Sequence, residues 1–299
     1  MAKRQSIRGE KQLMGALNEQ TPARNRYADA PRRADYTIDQ AWDTYSAAEH
    51  DRWRRLCARQ RGALRDRACP QALAGLAALG VADGGVPHLE RLSDRLEALT
   101  GWRVLPVADL VPDAIFFDHL ANRRFPAGAY LRPEREIDYI EEPDIFHEVF
   151  GHAPLLADPA FADFMQAYGI GAKRAAARGQ LHHLARLYWY TVEYGLTQTE
   201  AGLRVFGAGL LSSPSECVYA LEANEPARLR FDIERVMRTR YVIDSFQKAY
   251  FVIEDMERLS AQCRRDFGDL YGVLRGAADI EAGGVLPTDE LTSHIRAAA

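Results

Sequence analysis

Two histidines, His147 and His152, stand five residues apart with a glycine between them and a proline soon after. On a straight helix of 3.6 residues per turn, the second imidazole would point roughly 140° away from the first. Gly151 can end a helix in the left-handed conformation, and Pro154 prevents the helix from continuing. The sequence therefore predicts a bent corner, with His147 on the last helical turn and His152 just beyond it.

The histidine pair alone is compatible with several functions. A zinc-protease helix reads His-Glu-x-x-His and would need its second histidine at position 151, which is glycine here. Alternatively, His147 packs in the core and His152 interacts with the negative end of the helix dipole. Two imidazoles without a third ligand do not define a metal site, so these alternatives stay open at this point.

A candidate third ligand, Glu193, follows a segment with helical apolar spacing at residues 181, 184, 187 and 188. Its neighbours are mostly aromatic: Trp189, Tyr190 and Tyr194. An acid among aromatic residues near a helix C-terminus is disfavoured by desolvation and by the helix dipole. A bound cation would explain its presence, whereas the alternative is an ordinary solvent-facing glutamate.

Two imidazoles and a carboxylate on one side of an ion are typical of non-haem Fe(II) oxygenases. Here the chain resembles the pterin-dependent aromatic amino acid hydroxylases, and in particular their short bacterial members that hydroxylate phenylalanine. The resemblance is carried by four blocks that keep the family's order and spacing, residues 100–107, 142–155, 188–196 and 207–213. It spans roughly residues 95 to 255 and implies a mainly α single catalytic domain with a few short β-strands.

The resemblance implies that His147, His152 and Glu193 hold Fe(II) as the catalytic metal centre. It implies that Arg132 clamps the carboxylate of the amino acid substrate, with Asp144 orienting its guanidinium. Without the resemblance, Arg132 would be an ordinary surface arginine in a charged run, and Asp144 would be a helix N-cap.

The resemblance also implies a site for a tetrahydropterin cosubstrate. Phe116 would stack on the pterin ring, Leu110 would belong to the pterin loop, and Glu148 would face the pterin. Residues 110–114 lack the serine pair of the animal enzymes, so the contacts of this loop differ. Read locally, Phe116 is simply a core phenylalanine.

Three further residues are implied to belong to the substrate pocket. Trp189 would line it, Tyr194 would occupy the position that varies with substrate preference, and Ser212 would fix the ring of His147 from the edge of the pocket. The next residues, 213–216, have the pattern of a capping box, in which Ser213 caps a helix and Glu216 bonds back to it.

The implied reaction converts L-phenylalanine and O₂ to L-tyrosine with a reduced pterin as electron donor. Alternatives within the family are tryptophan and tyrosine hydroxylation. Alternatives of another class are a zinc hydrolase with Glu148 as base, and an amino-acid-binding protein without catalysis.

Composition is consistent with a cytoplasmic enzyme. The net charge of −4 gives no indication of the positively charged surface that binds nucleic acid. The longest mostly apolar stretch, residues 72–82, is far shorter than the ~20 residues of a membrane span, and no apolar segment follows the N-terminal residues as in a secretory signal. The four cysteines form no Cys-x-x-Cys pair and are expected to be reduced thiols.

The predicted organisation is a mobile N-terminal arm at residues 1–35, a catalytic domain at 36–275 and a C-terminal tail at 276–299. Helices are expected at residues 42–64, 70–79, 88–99 and 254–274, and strands at 240–244 and 250–253. No long oligomerising C-terminal helix is visible, which favours a monomer.

Overall fold

The computed structural model describes residues 25–138 and 143–292, and the fold is mainly α-helical, as predicted. The α-helices are α1 Ala47–Leu64, α2 Pro70–Leu79, α3 Leu89–Thr100, α4 Asp113–Ala121, α5 Ala153–Leu156, α6 Pro159–Ala177, α7 Leu181–Tyr188, α8 Ala208–Ser212, α9 Pro214–Glu222, α10 Ile233–Arg238, α11 Met256–Cys263 and α12 Gly268–Gly276. Short 3₁₀-helices cover Trp42–Thr44 and Glu134–Glu136, and two π-helical turns cover His147–His152 and Trp189–Glu193.

The strands are short and form two separate sheets. They are β1 Arg103–Val107, β2 Arg124–Gly128, β3 Leu196–Thr199, β4 Gly202–Val205, β5 Ala227–Arg230 and β6 Ala249–Ile253. Strands β1 and β2 pair in parallel, with α4 as the crossover between them. The second sheet has the order β4-β3-β6-β5, and its β3–β4 hairpin is antiparallel.

Local signals explain where the first helices begin and end. Ser46 and Glu49 form a complete capping box that starts α1, so residues 42–44 are a separate 3₁₀ turn rather than part of this helix. Helix α2 has the predicted bounds because Pro70 stands at its first position and Gly80 ends it at φ 61°.

An aromatic core supports the segment that carries the two histidines. Phe146 and Phe150 stack with ring centroids 4.9 Å apart, and Trp53 of α1 meets Phe146 edge-on at 5.4 Å. All three side chains are fully buried. Because these rings fix one side of the segment, the side chains of His147 and His152 are held on the other side.

Residues 25–35 pack against the domain, which differs from the predicted arm. Tyr27 is 4% exposed, and its hydroxyl donates to the carbonyl of Gln40 at 2.7 Å. The Asn25 carboxamide donates to the carbonyl of Ala108. These contacts of Asn25 and Tyr27 are not those of a mobile arm, and residues 1–24 of the predicted arm lie outside the described residues.

The C-terminal part also differs from the expectation in three places. Residues 240–244 form no strand, and the predicted helix at 254–274 is two helices interrupted at residues 264–267. Residues 277–292 pack back onto the domain through isolated bridges of Ile280 with Thr239 and of Leu291 with Leu229. In addition, Arg186 of α7, 1% exposed, pairs with Asp279 at 2.7 Å.

Asp289→Ala is expected to destabilise the protein by about 3–5 kcal/mol, because it leaves the buried guanidinium of Arg235 without its partner. The two side chains are 8% and 5% exposed, and their closest atoms are 2.8 Å apart. The matched control is Glu290→Ala, which breaks an exposed pair with Arg230 and should cost less than about 1 kcal/mol. Urea denaturation measures both, and equal losses would contradict the prediction.

The four cysteines are buried free thiols, which agrees with the expected reduced state. Burial raises the pKa of Cys57 and of Cys217 to about 12 and that of Cys69 to about 11, so these thiols stay protonated near neutral pH. Across residues 25–138 and 143–292, every helix is too short or too polar to cross a bilayer.

Candidate metal centre

His147 and His152 face each other across a π-helical turn rather than across a helix end. A π-helix closes its hydrogen bonds between residues i and i+5, so residue i+5 returns close to the side of residue i. The two Nε2 atoms are 3.1 Å apart, and the ring planes are nearly perpendicular, at 86°. The predicted proximity of the imidazoles is present, but the predicted helix end at Gly151 is wrong, because α5 follows directly.

Gly151 serves close packing instead of helix termination. A Cβ at this position would lie 2.8 Å from the carbonyl oxygen of Ala208 at the start of α8. Pro154 occupies an early position of α5, where its missing N–H needs no intrahelical partner. Both residues are therefore compatible with a continuous, widened helical segment.

Glu193 lies at the end of a second π-helical turn, Trp189–Glu193, which extends α7. Its Oε1 is 3.3 Å from Nε2 of His152, and its Oε2 is 3.6 Å from Nε2 of His147. A Cβ at Gly207 would lie only 2.3 Å from the Glu193 carbonyl oxygen, so the segment before α8 passes directly against this turn. The structure thus brings together the three residues predicted as metal ligands.

The spacing of these donors fits one metal ion. Donors bound at right angles by bonds of about 2.1 Å lie about 3.0 Å apart, and the three groups here are separated by 3.1, 3.3 and 3.6 Å. A second carboxylate, that of Glu148, also forms a possible metal-binding group with His147 and His152. It lies further away, at 3.9 Å from Nε2 of His152, so the distances favour Glu193 as the third ligand.

Burial and mutual charge set the protonation of the cluster. Burial lowers the pKa of His147 to about 4 and raises that of Glu148 to about 8. Burial opposes ionisation of Glu193 and His152 too, but their mutual attraction lowers the pKa of Glu193 and raises that of His152. Near neutral pH, the cluster therefore contains a neutral His147, an ionised Glu193 and a largely protonated Glu148.

Ser212 determines which nitrogen of His147 carries the proton. The Ser212 hydroxyl donates to the carbonyl of Ala208 at 2.8 Å and lies 2.9 Å from Nδ1 of His147. Because that hydroxyl has a single proton, it accepts from Nδ1–H of His147. The lone pair of the imidazole is then on Nε2, which faces Glu193 and His152.

Ser212→Ala is expected to weaken metal binding about 10- to 100-fold, because it removes the partner that orients the His147 ring. Ser213→Ala is the matched control: Ser213 caps α9 through the N–H of Glu216 at 3.4 Å and does not bond to the histidine. That variant should lose about 1 kcal/mol of stability with unchanged metal affinity. Titration with Co(II) measures affinity, and equal affinities of both variants would contradict the assignment.

The three residues predicted to contact a pterin, Leu110, Phe116 and Glu148, line one pocket. Asn25, Tyr130 and Pro143 also line it and were not predicted. Glu148 belongs both to this pocket and to the cluster of metal-binding groups. The pocket therefore opens directly beside the candidate metal centre.

Tyr188 was also missed by the sequence analysis, which used it only as an apolar helical position. Its ring lies between the pocket and the metal centre, 6.2 Å from the ring of Phe116 and 6.5 Å from that of His152. Burial, together with the charges of Glu193 and Glu148, raises its pKa well above the usual value. The phenol is therefore a neutral polar group between the two sites.

Arg132 and Asp144 form a buried, two-pronged ion pair. Nε of Arg132 donates to Oδ2 at 2.8 Å, and Nη2 donates to Oδ1 at 2.8 Å. Asp144 also accepts the backbone N–H of His147 at 3.1 Å. It therefore has both predicted roles, that of a helix N-cap and that of the residue that orients the Arg132 guanidinium. Arg132 is 4% exposed, which excludes the ordinary surface arginine.

Trp189 and Tyr194 are half-buried neighbours whose ring centroids are 4.8 Å apart. The indole also stacks on Tyr241 at 4.5 Å, and its N–H donates to Oε1 of Gln247 at 3.0 Å.

The predicted capping box at residues 213–216 is only half present. The carboxylate of Glu216 accepts from the backbone N–H of Gln247 and from the hydroxyl of Tyr250, and does not bond back to Ser213.

The fold and the site together define the class. A mainly α domain presents two imidazoles and a carboxylate to one point beside an aromatic pocket, which is the donor set of non-haem iron oxygenases. The chain belongs to the biopterin-dependent aromatic amino acid hydroxylases, whose family model matches residues 23–270. This confirms the resemblance read from the four sequence blocks.

Within that family, the most informative relatives are bacterial. The chain is 54% identical to a phenylalanine-4-hydroxylase of Caulobacter vibrioides over 262 residues, 88% of this chain and 89% of that protein. It is 52% identical to one of Ralstonia nicotianae, covering 86% of this chain and 82% of the relative. The cobalt-bound crystal structure of phenylalanine hydroxylase from Chromobacterium violaceum matches with a TM-score of 0.88 at 46% identity, covering 92% of this chain and 100% of that one.

Proposed function

We propose that the protein is a phenylalanine 4-monooxygenase that converts L-phenylalanine to L-tyrosine with O₂ and a tetrahydropterin. The observation that carries the proposal is the convergence of His147, His152 and Glu193 to within 3.1–3.6 Å, directly beside the pocket lined by Leu110, Phe116 and Glu148. Phenylalanine is favoured over tryptophan and tyrosine as substrate because the bacterial relatives at 43–54% identity are named phenylalanine-4-hydroxylases.

His147, His152 and Glu193 would hold a single Fe(II) ion on one side, leaving the other side free for small ligands. Bound iron supplies the activation of O₂, and the pterin supplies two electrons; one oxygen atom enters the substrate ring and the other enters the pterin. The cobalt-bound structure of the Chromobacterium violaceum phenylalanine hydroxylase supports a transition-metal site in this protein.

The pterin pocket provides an aromatic ring for stacking and a carboxyl group for hydrogen bonding. Phe116 presents a half-buried ring that can stack on the pterin. The carboxyl group of Glu148 lines the same pocket and can form a hydrogen bond with the cosubstrate. The shared position of Glu148 in pocket and metal cluster would hold the two reactants next to each other.

Arg132 would bind the substrate carboxylate. Its Nε and Nη2 are held by Asp144, so the planar guanidinium cannot rotate, and Nη1 takes no part in these two bonds. Trp189 and Tyr194 would pack against the substrate ring. Fixing both ends of a substrate can lower a barrier by about 7–11 kcal/mol through orientation alone.

The test is anaerobic reconstitution with Fe(II), followed by addition of O₂, tetrahydropterin and each aromatic amino acid in turn, with chromatographic identification of the product. We expect tyrosine from phenylalanine, strictly dependent on pterin. Pterin-independent amino acid binding without product would favour the non-catalytic alternative, and metal-dependent hydrolysis with zinc would favour the hydrolase.

A monomeric state and a cytoplasmic location remain predictions. Light scattering would check the first and cell fractionation the second.

A further inference from the structure

Gln247 is a buried amide that the proposed reaction does not use directly. It is 2% exposed, and each polar group of its side chain has a partner. Oε1 accepts from the indole N–H of Trp189 at 3.0 Å, and Nε2 donates to the carbonyl of Val242 at 2.8 Å. An indole can only donate and a carbonyl can only accept, so the amide has one orientation that satisfies both neighbours.

The backbone of Gln247 is fixed as firmly as its side chain. Its N–H donates to Oε1 of Glu216 at 3.0 Å, and the same oxygen accepts the hydroxyl of Tyr250 at 2.9 Å. Glu216 is 6% exposed and belongs to α9, while Tyr250 belongs to β6. Gln247 is therefore attached to two rigid elements before it reaches the indole, so it can hold that ring in place.

Trp189 depends on this contact for a defined orientation. Its ring is tilted by 39° to that of Tyr194 at 4.8 Å and stacks on that of Tyr241 at 4.5 Å, and neither ring contact fixes the direction of the indole N–H. The hydrogen bond from the indole N–H to Gln247 fixes which edge of the Trp189 ring faces Gln247. Trp189 also begins the π-helical turn that ends at Glu193, and its carbonyl accepts the N–H of Tyr194 at 2.9 Å.

We infer that Gln247 is a positioning residue that sets the shape of the amino acid pocket by holding the indole of Trp189, and thereby favours phenylalanine over tryptophan as substrate. The inference rests on the proposed function, because it takes Trp189 as part of the substrate pocket. Gln247 itself need not touch the substrate. Its loss should change substrate affinity and selectivity much more than the rate of the chemical step.

The experiment combines Gln247→Met, which keeps the length but removes the amide, with Trp189→Phe and with the double variant. In Gln247→Met we expect the KM for phenylalanine to rise about 10-fold, kcat to change less than 3-fold and the preference for phenylalanine over tryptophan to fall about 10-fold. In the Trp189→Phe background, the same substitution should add less than a 2-fold change, since its target is already absent.

Gln60→Met is the matched control because Gln60 is a buried amide, 1% exposed, in α1. Its Nε2 has no hydrogen-bond partner among the described residues, so the substitution should cost little stability and leave KM and selectivity unchanged. A spectroscopic readout is independent of turnover: the near-ultraviolet circular dichroism assigned to Trp189, as wild type minus Trp189→Phe, should be reduced in Gln247→Met and intact in Gln60→Met. If Gln247→Met does not fold, Gln247→Asn retracts the amide by one methylene and should give the same KM change.

The outcomes separate the inference from the proposed function. Wild-type protein that forms no tyrosine overturns the proposed function and this inference with it. Wild-type protein that forms tyrosine, combined with unchanged KM and selectivity in Gln247→Met, overturns the inference alone. Equal effects of Gln247→Met in the wild-type and Trp189→Phe backgrounds also overturn it, because the amide would then act by a route other than the indole.

Discussion

Glu193→Gln is expected to abolish tyrosine formation and to weaken Fe(II) binding by more than about 100-fold. The substitution keeps the size of the side chain but removes the negative charge that lies 3.3 Å from His152 and 3.6 Å from His147. Loss of a residue that only orients a ligand typically costs 10- to 100-fold in affinity, so loss of a charged ligand should cost more. The fold should persist, because an amide at this position can still accept a hydrogen bond from His152.

Glu148→Gln is the matched control, since Glu148 is the other carboxylate of the same cluster. Its pKa is raised to about 8 by burial, so a neutral amide is a close replacement for the protonated acid present near pH 7. We expect near-normal metal affinity. Calorimetric titration with Fe(II) under nitrogen and Co(II) spectra measure the metal, and chromatography measures tyrosine.

The reverse pattern would identify a different ligand set. If Glu148→Gln lost the metal and Glu193→Gln kept it, the third ligand would be Glu148, and the ion would lie closer to the pterin pocket. Retained metal binding in both variants would mean that either carboxylate suffices. Neither result is compatible with Glu193 as an essential ligand.

Much of this cluster could be predicted because side-chain chemistry and spacing along the chain carry it. Glu193 lies 41 residues after His152 in the sequence, but the blocks around all three residues match one family in order and spacing. Phe116, Leu110 and Glu148 were assigned to one pocket by the same resemblance, and the structure brings all three to its lining. The local bounds of α2 followed from Pro70 and Gly80, whose backbone preferences act without tertiary context.

The widened turns could not be predicted from local periodicity. A 3.6-residue repeat places position i+5 on a different side of the helix, so Gly151 was interpreted as a helix end. The π-helical turn instead depends on close packing between segments, such as Gly151 against Ala208 and Gly207 against Glu193. Such contacts depend on residues about 60 and 14 positions away in the chain, and a local pattern contains no information about them.

Residues 240–244 illustrate a different failure. Their aromatic and β-branched content predicted a strand, since such side chains favour a pleated surface. In the structure, Tyr241 instead stacks on Trp189, and the carbonyl of Arg240 accepts the hydroxyl of Tyr190 at 2.6 Å. Tertiary contacts of individual side chains override the propensity here. The burial of Tyr27 in the predicted arm was missed for the same reason, because the polar composition around it dominated the interpretation.

Arg132→Ala is expected to have two separable effects, a loss of stability of about 3–5 kcal/mol and a rise in the KM for phenylalanine of about 10- to 100-fold. The first effect arises because Asp144, whose side chain is fully buried, would lose its ionic partner. The second follows from losing a charge-assisted contact to the substrate carboxylate, which is typically worth about 1.5–3 kcal/mol. Urea denaturation and steady-state kinetics at saturating pterin measure the two effects.

The double variant Arg132→Met/Asp144→Asn separates the folding role from the binding role. It removes both buried charges together, and replacement of a complete buried pair by neutral side chains of similar volume is often close to neutral for stability. Asp144 accepts the backbone N–H groups of His147 at 3.1 Å and of Arg132 at 2.9 Å, and the single oxygen of an amide at position 144 can replace only one of these acceptors. We therefore expect part of the stability to return while the KM for phenylalanine stays high.

Arg135→Ala provides the control for a general loss of positive charge. Arg135 lies three residues after Arg132 in the charged segment 132–136, and its side chain is 64% exposed. It should change stability by less than about 0.5 kcal/mol and leave the KM unaltered. If the double variant regained both stability and normal KM, Arg132 would be a structural partner of Asp144 alone, and another cation would have to bind the substrate carboxylate. If instead KM stayed high in the restored fold, the guanidinium itself would be the binding group, because a loss of folding would no longer explain the weak binding.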